Sequence, residues 1–181
     1  MGLPTSLFYL GVDPGPVNTG WALLGPDSFL ACGVFDPRAT GDVIMAAEEL
    51  WMGIQSHLPD GKVAIVGAAM ERYVSYKGVL TSNAEDTCLF IGSLTYLLRS
   101  RGINTTLVRA ISWKPRVCKK LHLTNGYDNP STKLDKKFSN SAACNILGVT
   151  EYKKRPFKTD HEADAICLAY FAKESLYDKD S

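Results

Sequence analysis

Apolar residues in this chain fall into short runs that stop abruptly at a charge or a turn. Leu7-Phe8-Tyr9-Leu10-Gly11-Val12 runs into Asp13 and then Pro14-Gly15, and Val63-Ala64-Ile65-Val66-Gly67-Ala68-Ala69-Met70 runs into Glu71. Runs of this length, closed by turn residues, read as buried strands. Strands are expected over 8–12, 18–24 and 29–35, the first three forming an antiparallel meander, with further strands over 62–70 and 105–109. Helical spacing replaces strand spacing over 42–57, where Ile44, Ala47, Leu50, Trp51 and Ile54 share a face. A second helix is expected over 82–101, with Ser82-Asn83-Ala84-Glu85 as its cap and Cys88, Ile91, Leu94 and Leu98 on one stripe. Residues 121–131 read as a loop, 133–147 as a helix with a basic start, and 152–158 as a basic connector. Thr159-x-x-Glu162 is a capping box, so a last helix should start at Asp160. The order β-β-β-α-β-α-β followed by helices predicts one α/β domain over 1–181, with a mixed five-stranded sheet flanked by helices. Strand–helix–strand units in such a sheet cross over right-handed.

Composition narrows the class. The 45% apolar content of 181 residues suits one sizeable core. Cys32, Cys88, Cys118, Cys144 and Cys167 are odd in number and lack Cys-x-x-Cys spacing. That argues for reduced thiols in the cytoplasm, and against a zinc site or a disulfide framework. No apolar run has the length of a membrane span, and the start lacks the basic region of a signal peptide. Met-Gly-Leu-Pro-Thr-Ser meets a loose myristoylation pattern, discounted because a strand follows almost at once.

The net charge of +1 conceals an asymmetry. Residues 1–100 carry 5 Lys/Arg against 10 Asp/Glu, residues 101–158 carry 13 against 3, and residues 159–181 carry 2 against 6. A basic block beside an acidic cluster suits an enzyme acting on a phosphodiester, with cations on the backbone and acids on metal. The bland alternative is a solvated basic face.

Three acidic motifs occur in order. Asp13 and Glu71 each end a strand, and His161 and Asp164 are spaced i, i+3, on one face of the last helix. Oxygen ligands from Asp13, Glu71 and Asp164, with His161, suit Mg²⁺ or Mn²⁺, and two such ions can hold the attacking and leaving oxygens of a phosphodiester. Each motif has a bland counterpart. Asp13-Pro-Gly occurs as an ordinary strand-end turn, Glu71 could be an exposed end residue, His161 a solvated helix-start residue, and Asp160 an acid favoured by the helix dipole.

This ordered set resembles the RNase H-like nuclease superfamily, and within it the RuvC-type Holliday-junction resolvases. Their first motif, roughly G-[IV]-D-P-G-x-x-x-T-G, is met at every fixed position from Gly11 to Gly20. Their strand-end glutamate is matched by Glu71, and their closing D-A-[LI]-x-[LI]-A by Asp164-Ala165-Ile166-Cys167-Leu168-Ala169. The chain departs from the family at His161, where Asp is common, and Asp160 could replace or assist it. After Glu71 the family's aromatic has two candidates, Tyr73 and Tyr76, and the loop at 121–131 looks long.

The resemblance implies an RNase H-like fold and a crossover junction endodeoxyribonuclease of recombination and repair, using two Mg²⁺ or Mn²⁺ per active site. It implies a homodimer on branched DNA, with the helix over 82–101 as dimer element, in the cytoplasm, near the nucleoid or in a host if phage-encoded. Arg109, Lys114, Arg116, Lys119, Lys120, Lys133, Lys136 and Lys137 are the expected phosphate contacts. Tyr73 and Tyr76, with Lys77, are expected to stack on unpaired bases. A broader flap or branched-DNA endonuclease, or a non-catalytic junction-binding module, is the alternative. An actin-like or sugar-kinase ATPase also has Asp-x-Gly after a strand, but it needs a second, duplicated domain for which 181 residues leave no room.

Overall fold

The computed structural model of the protein describes residues 6–60, 63–74, 83–123 and 136–177. Five strands form one sheet in the order β3-β2-β1-β4-β5: β1 Ser6–Asp13, β2 Thr19–Leu24, β3 Phe29–Phe35, β4 Val63–Glu71 and β5 Asn104–Val108. β1, β2 and β3 pair antiparallel, while β4 and β5 run parallel to β1, giving the mixed α/β sheet expected from the strand pattern. The helices are α1 Val43–Gln55, α2 Ala84–Ser100, α3 Ala110–Lys120, α4 Lys136–Ile146 and α5 Asp160–Tyr177. None of the described helices is long and apolar enough to cross a membrane.

The alternation of a strand sorts β1 between two cores. Phe8, Leu10 and Val12 join Trp21, Leu23, Met70 and the α1/α2 residues Leu50, Ile54, Phe90 and Leu94. Tyr9 faces the other way, into a core with Trp113 and Val117 of α3, Phe138 of α4, and Ile166 and Leu168 of α5. α5 is buried around most of its circumference, from Glu162 through Ala172, because the sheet covers one side and α4 the other. A helix of this kind needs small residues where it meets the sheet, and Ala163, Ala165 and Ala169 are all fully buried.

Local signals account for the helix ends. Asp42 caps α1, its Oδ1 accepting from Ile44 N at 2.7 Å and Met45 N at 2.9 Å. Thr159 and Glu162 form the reciprocal capping box at the start of α5, with Thr159 N donating to Glu162 Oε2 at 2.7 Å and Glu162 N to Thr159 Oγ1 at 3.1 Å. Glu162 also accepts from Lys158 N, so this acid serves the cap. The cap expected for α2 differs: Asn83 occupies the N-cap position without a side-chain hydrogen bond, and Ser82 lies outside the described residues. α3 carries Pro115 in its interior, which removes one backbone donor.

The sheet and α5 touch through glycine. A methyl group at Gly11 would overlap the Ala165 carbonyl oxygen and the Ala169 nitrogen, and one at Gly20 would overlap the His161 carbonyl. Gly11→Ala and Gly20→Ala should therefore force α5 off the sheet and destabilise the fold by about 1–3 kcal/mol or more. Gly53→Ala, in α1 with nothing within 4 Å, should instead stabilise by up to about 1 kcal/mol. Thermal unfolding of the three variants checks this; a Gly11→Ala protein as stable as the parent would refute the close approach.

Candidate metal centre

Strand parity aims the first two acids. Gly11 faces α5, and Asp13, two residues on, follows it to the same side. In β4, Gly67 meets Leu176 of α5 and Ala69 joins the same core, so Glu71 also emerges on the α5 side. Pairing sets Asp13 opposite Gly20 and Val12 beside Met70, which brings the two acids to adjacent strand ends. The capped first turns of α5 then bring His161 over Gly20 and Ala165, next to Asp164, over Gly11.

The three acids lie within electrostatic reach of one another, and His161 touches one of them. His161 Nδ1 lies 2.7 Å from Asp13 Oδ2. Trp113 Nε1 donates to Glu71 Oε2 at 2.8 Å. Asp164 Oδ1 accepts a short bond from Ser139 Oγ and lies 3.5 Å from Lys114 Nζ. Asp160 stands at the margin, where Asn140 Nδ2 donates to its Oδ1 at 2.8 Å and Arg155 in turn donates to Asn140 Oδ1 at 3.3 Å.

Crowding of negative charge shows in the proton equilibria. Burial pushes the Glu71 carboxyl up to about 7; the Trp113 N–H opposes the rise, while the charge of Asp13, and less that of Asp164, adds to it. Burial likewise raises Asp164, against the pull of Lys114 and Ser139, and Asp13 adds to the rise. The hydrogen bond to Asp13 raises His161 above its ordinary value, outweighing burial, and the charges of Asp13, Asp164 and Asp160 add to it. Acids that raise one another are short of positive charge. Among the described residues no three His, Cys, Asp or Glu side chains are disposed as a ready-made metal cage. The donor set nonetheless fits a hard divalent cation: it is rich in carboxylate oxygen, and among the described residues its close positive partners are Lys114 and, when protonated, His161.

The remaining expected residues scatter. Arg109 is exposed at the start of α3 and, with Arg72, Tyr73 and Val74, lines a cleft of about 380 Å³ that reaches Glu71. Tyr73 is half-buried and packs toward the α1/α2 core. Lys114 turns inward to Asp164. Arg116 lies over the Phe171 ring and lines a different cleft with Gly67 and Asn104, farther back along β4 and β5. Lys119 is exposed, and Lys120 pairs with Glu174 at 3.2 Å. Tyr76, Lys77 and Lys133 lie outside the described residues, as do the side chains of Lys136 and Lys137 in the first turn of α4. Sequence inspection missed Arg72, Trp113, Ser139 and Asn140. Only Trp113 left a trace, since a buried indole N–H needs an acceptor.

No family model matches the chain, and no curated protein does. Solved structures do, among them Thermus thermophilus RuvC, and T. thermophilus RuvC in complex with Holliday junction substrate. Each is 14% identical, with a TM-score of 0.60, over 97% of this chain and 96% of that one. At this identity the likeness is one of fold, and the mixed sheet with its flanking helices is RuvC-like, that is, RNase H-like.

The proton equilibria predict how stability depends on pH without divalent metal. Glu71 titrates near 4.5 when unfolded and at about 7 when folded, so the folded state holds the extra proton between these values and loses stability as pH rises through them. His161, also raised, stabilises below its unfolded value and loses that contribution as pH climbs through its folded one. Glu71→Gln should hence stabilise the EDTA-treated protein at pH 8, on the order of 2 kcal/mol after allowing for partial exposure. At pH 4 the variant and parent should melt together. Thermal melts across pH check this; a variant less stable than the parent at pH 8 would count against charge crowding.

Proposed function

We propose that the protein is a metal-dependent, structure-specific endonuclease that resolves four-way DNA junctions by paired phosphodiester hydrolysis. The observation that carries this reading is the gathering of Asp13, Glu71 and Asp164 within electrostatic reach of one another, with His161 bonded to Asp13, at one end of a RuvC-like sheet. A RuvC of this fold has been solved with a Holliday junction substrate, which favours branched DNA over other phosphodiesters.

Asp13, Glu71, Asp164 and His161 would hold Mg²⁺ or Mn²⁺, two ions per site. When bound, such ions lower the pKa of the attacking water and offset charge on the leaving 3′-oxygen. The chain's own groups do the rest. Lys114 keeps a positive charge beside Asp164, its side chain only 15% exposed. Arg72 and Arg109 have exposed guanidinium groups in the cleft that opens onto Glu71 and form no ion pair among the described residues, so they are available to flanking phosphates. His161 serves as a ligand only as neutral imidazole, and with Nδ1 turned to Asp13 the nitrogen open to a cation would be Nε2.

Two opposed cuts call for two copies related by a two-fold axis. The face formed by α1 and α2 suits a second copy of this chain. Ile44, Leu89 and Tyr96 are exposed there, Tyr96 by 77%, around a cleft of about 520 Å³ lined also by Ala47, Cys88 and Leu97.

Synthetic four-way, three-way, flap and linear duplexes, incubated with Mg²⁺, Mn²⁺ or EDTA, test the reading. Four-way junctions should be cut in paired fashion with either metal and not in EDTA. Asp13→Asn should keep junction binding in a gel shift and lose cutting by several orders of magnitude. Preference for flaps would favour the broader branched-DNA endonuclease, and binding without cutting by the parent would favour a non-catalytic module.

His161 adds a pH signature. Its raised proton equilibrium places the acid limb of the rate profile above about 6.5. His161→Asp should keep cutting and move that limb downward, and His161→Ala should cut poorly. A fully active His161→Ala with an unchanged profile would remove His161 from the ligand set.

A further inference from the structure

Three acids at the site share one arrangement. Each has one carboxylate oxygen held by a protein group: Glu71 Oε2 by Trp113 Nε1, Asp13 Oδ2 by His161 Nδ1, and Asp164 Oδ1 by Ser139 Oγ and Lys114 Nζ. Among the described residues no protein donor bonds the second oxygen of any of the three. What the cluster offers a cation is therefore three single oxygens: Glu71 Oε1, Asp13 Oδ1 and Asp164 Oδ2.

Of these donors, Trp113 has the least freedom. Its side chain is fully buried in the core with Val117, Phe138, Phe157 and Ile166. An indole in a close-packed interior cannot swing, and its N–H is its one polar atom. The carboxylate must conform to the ring. The chain's course explains how the ring gets there: β5 pairs Val108 with Glu71, α3 begins two residues later, and its first turn brings Trp113 back over the strand end. The indole is also uncharged. It can stay on Glu71 when a cation arrives, whereas Lys114, whose ammonium lies 5.0 Å over the Trp113 ring and 3.5 Å from Asp164, competes with that cation.

We propose that Trp113 is a positioning residue: its indole N–H holds Glu71 Oε2 so that Glu71 meets a divalent cation through Oε1 alone. This rests on the reading of the acids as a metal centre. Groups that hydrogen-bond to ligating carboxylates typically change metal affinity by about 10–100-fold.

The indole N–H resonances of ¹⁵N-labelled full-length protein provide a direct readout, with Trp21 and Trp51 as internal references. In the metal-free parent, the Trp113 resonance, identified by its absence in Trp113→Phe, should lie downfield and move upfield in Glu71→Gln. Mg²⁺ should shift it with saturation, and Mn²⁺ should broaden it before the Trp21 signal. Trp113→Phe keeps most of the ring volume and loses the donor. It should raise the Mg²⁺ concentration for half-maximal cutting about ten-fold or more, while kcat at saturating Mg²⁺ stays near that of the parent. Should Trp113→Phe not fold, the parent and Glu71→Gln spectra still decide, because one indole signal alone must respond to both Glu71 and Mg²⁺. An indole signal indifferent to both, or an unchanged Mg²⁺ requirement in folded Trp113→Phe, overturns the proposal. A parent that cuts no branched DNA while Trp113 still follows Glu71 and Mg²⁺ would sink the nuclease reading and leave the positioning role standing.

Discussion

Everything at the candidate site depends on how closely α5 lies against β1 and β2. The approach is possible only because Gly11 and Gly20 carry no side chain where the backbone of α5 passes. A sheet-to-helix distance set by larger residues would lift His161 and Asp164 away from Asp13. The same closeness excludes water from the α5 side of the sheet, which raises the cost of every charge placed there. Geometry and electrostatics thus have one origin: the glycines that let the acids meet also place them where they repel.

That repulsion is moderated by groups of two kinds. Trp113 and Ser139 are neutral donors on α3 and α4, and they lower the burden on Glu71 and Asp164 without supplying charge. Lys114 and His161 supply charge, but neither is a fixed fixture. An ammonium on a flexible stem can rotate away, and an imidazole can lose its proton. The neutral donors orient the carboxylates, and the charged ones offset their charge. α3 contributes one of each in consecutive residues, which couples its placement to two acids from two different elements.

How much of this was visible in the chain depends on the distance over which each signal acts. The strand over Phe29–Phe35 and the start of α5 at Asp160 could be read almost to the residue, because alternation and a capping box are local. So could the facing of Asp13, which parity within β1 decides once the core side is known. Trp113 could not be read this way. Its role comes from β5 returning beside β4, a pairing between residues 37 positions apart, Glu71 and Val108. Ser139 and Asn140 were hidden for the same reason, since only the packing of α4 on α5 gives their side chains acids to hold. Basic residues misled in the opposite direction: charge counted along the chain treats 101–158 as one block, whereas α3 sends Lys114 inward, Arg109 to the acid end and Arg116 toward Gly67.

A histidine rather than a carboxylate at position 161 changes the charge balance of the cluster. With an acid there, four carboxylates would share one lysine and raise one another's proton equilibria further. With histidine, the cluster carries its own removable cation, already hydrogen-bonded to Asp13 at 2.7 Å. The metal-free protein is then better balanced at low pH than an all-acid site. In a metal centre the cost would fall on metal binding, because an imidazolium must lose a proton before it can coordinate. An all-acid cluster trades a strained empty state for a strong pull on cations. As a metal centre, this one would favour a stable empty state and make loading sensitive to pH, with Trp113 and Ser139 bonded to Glu71 and Asp164.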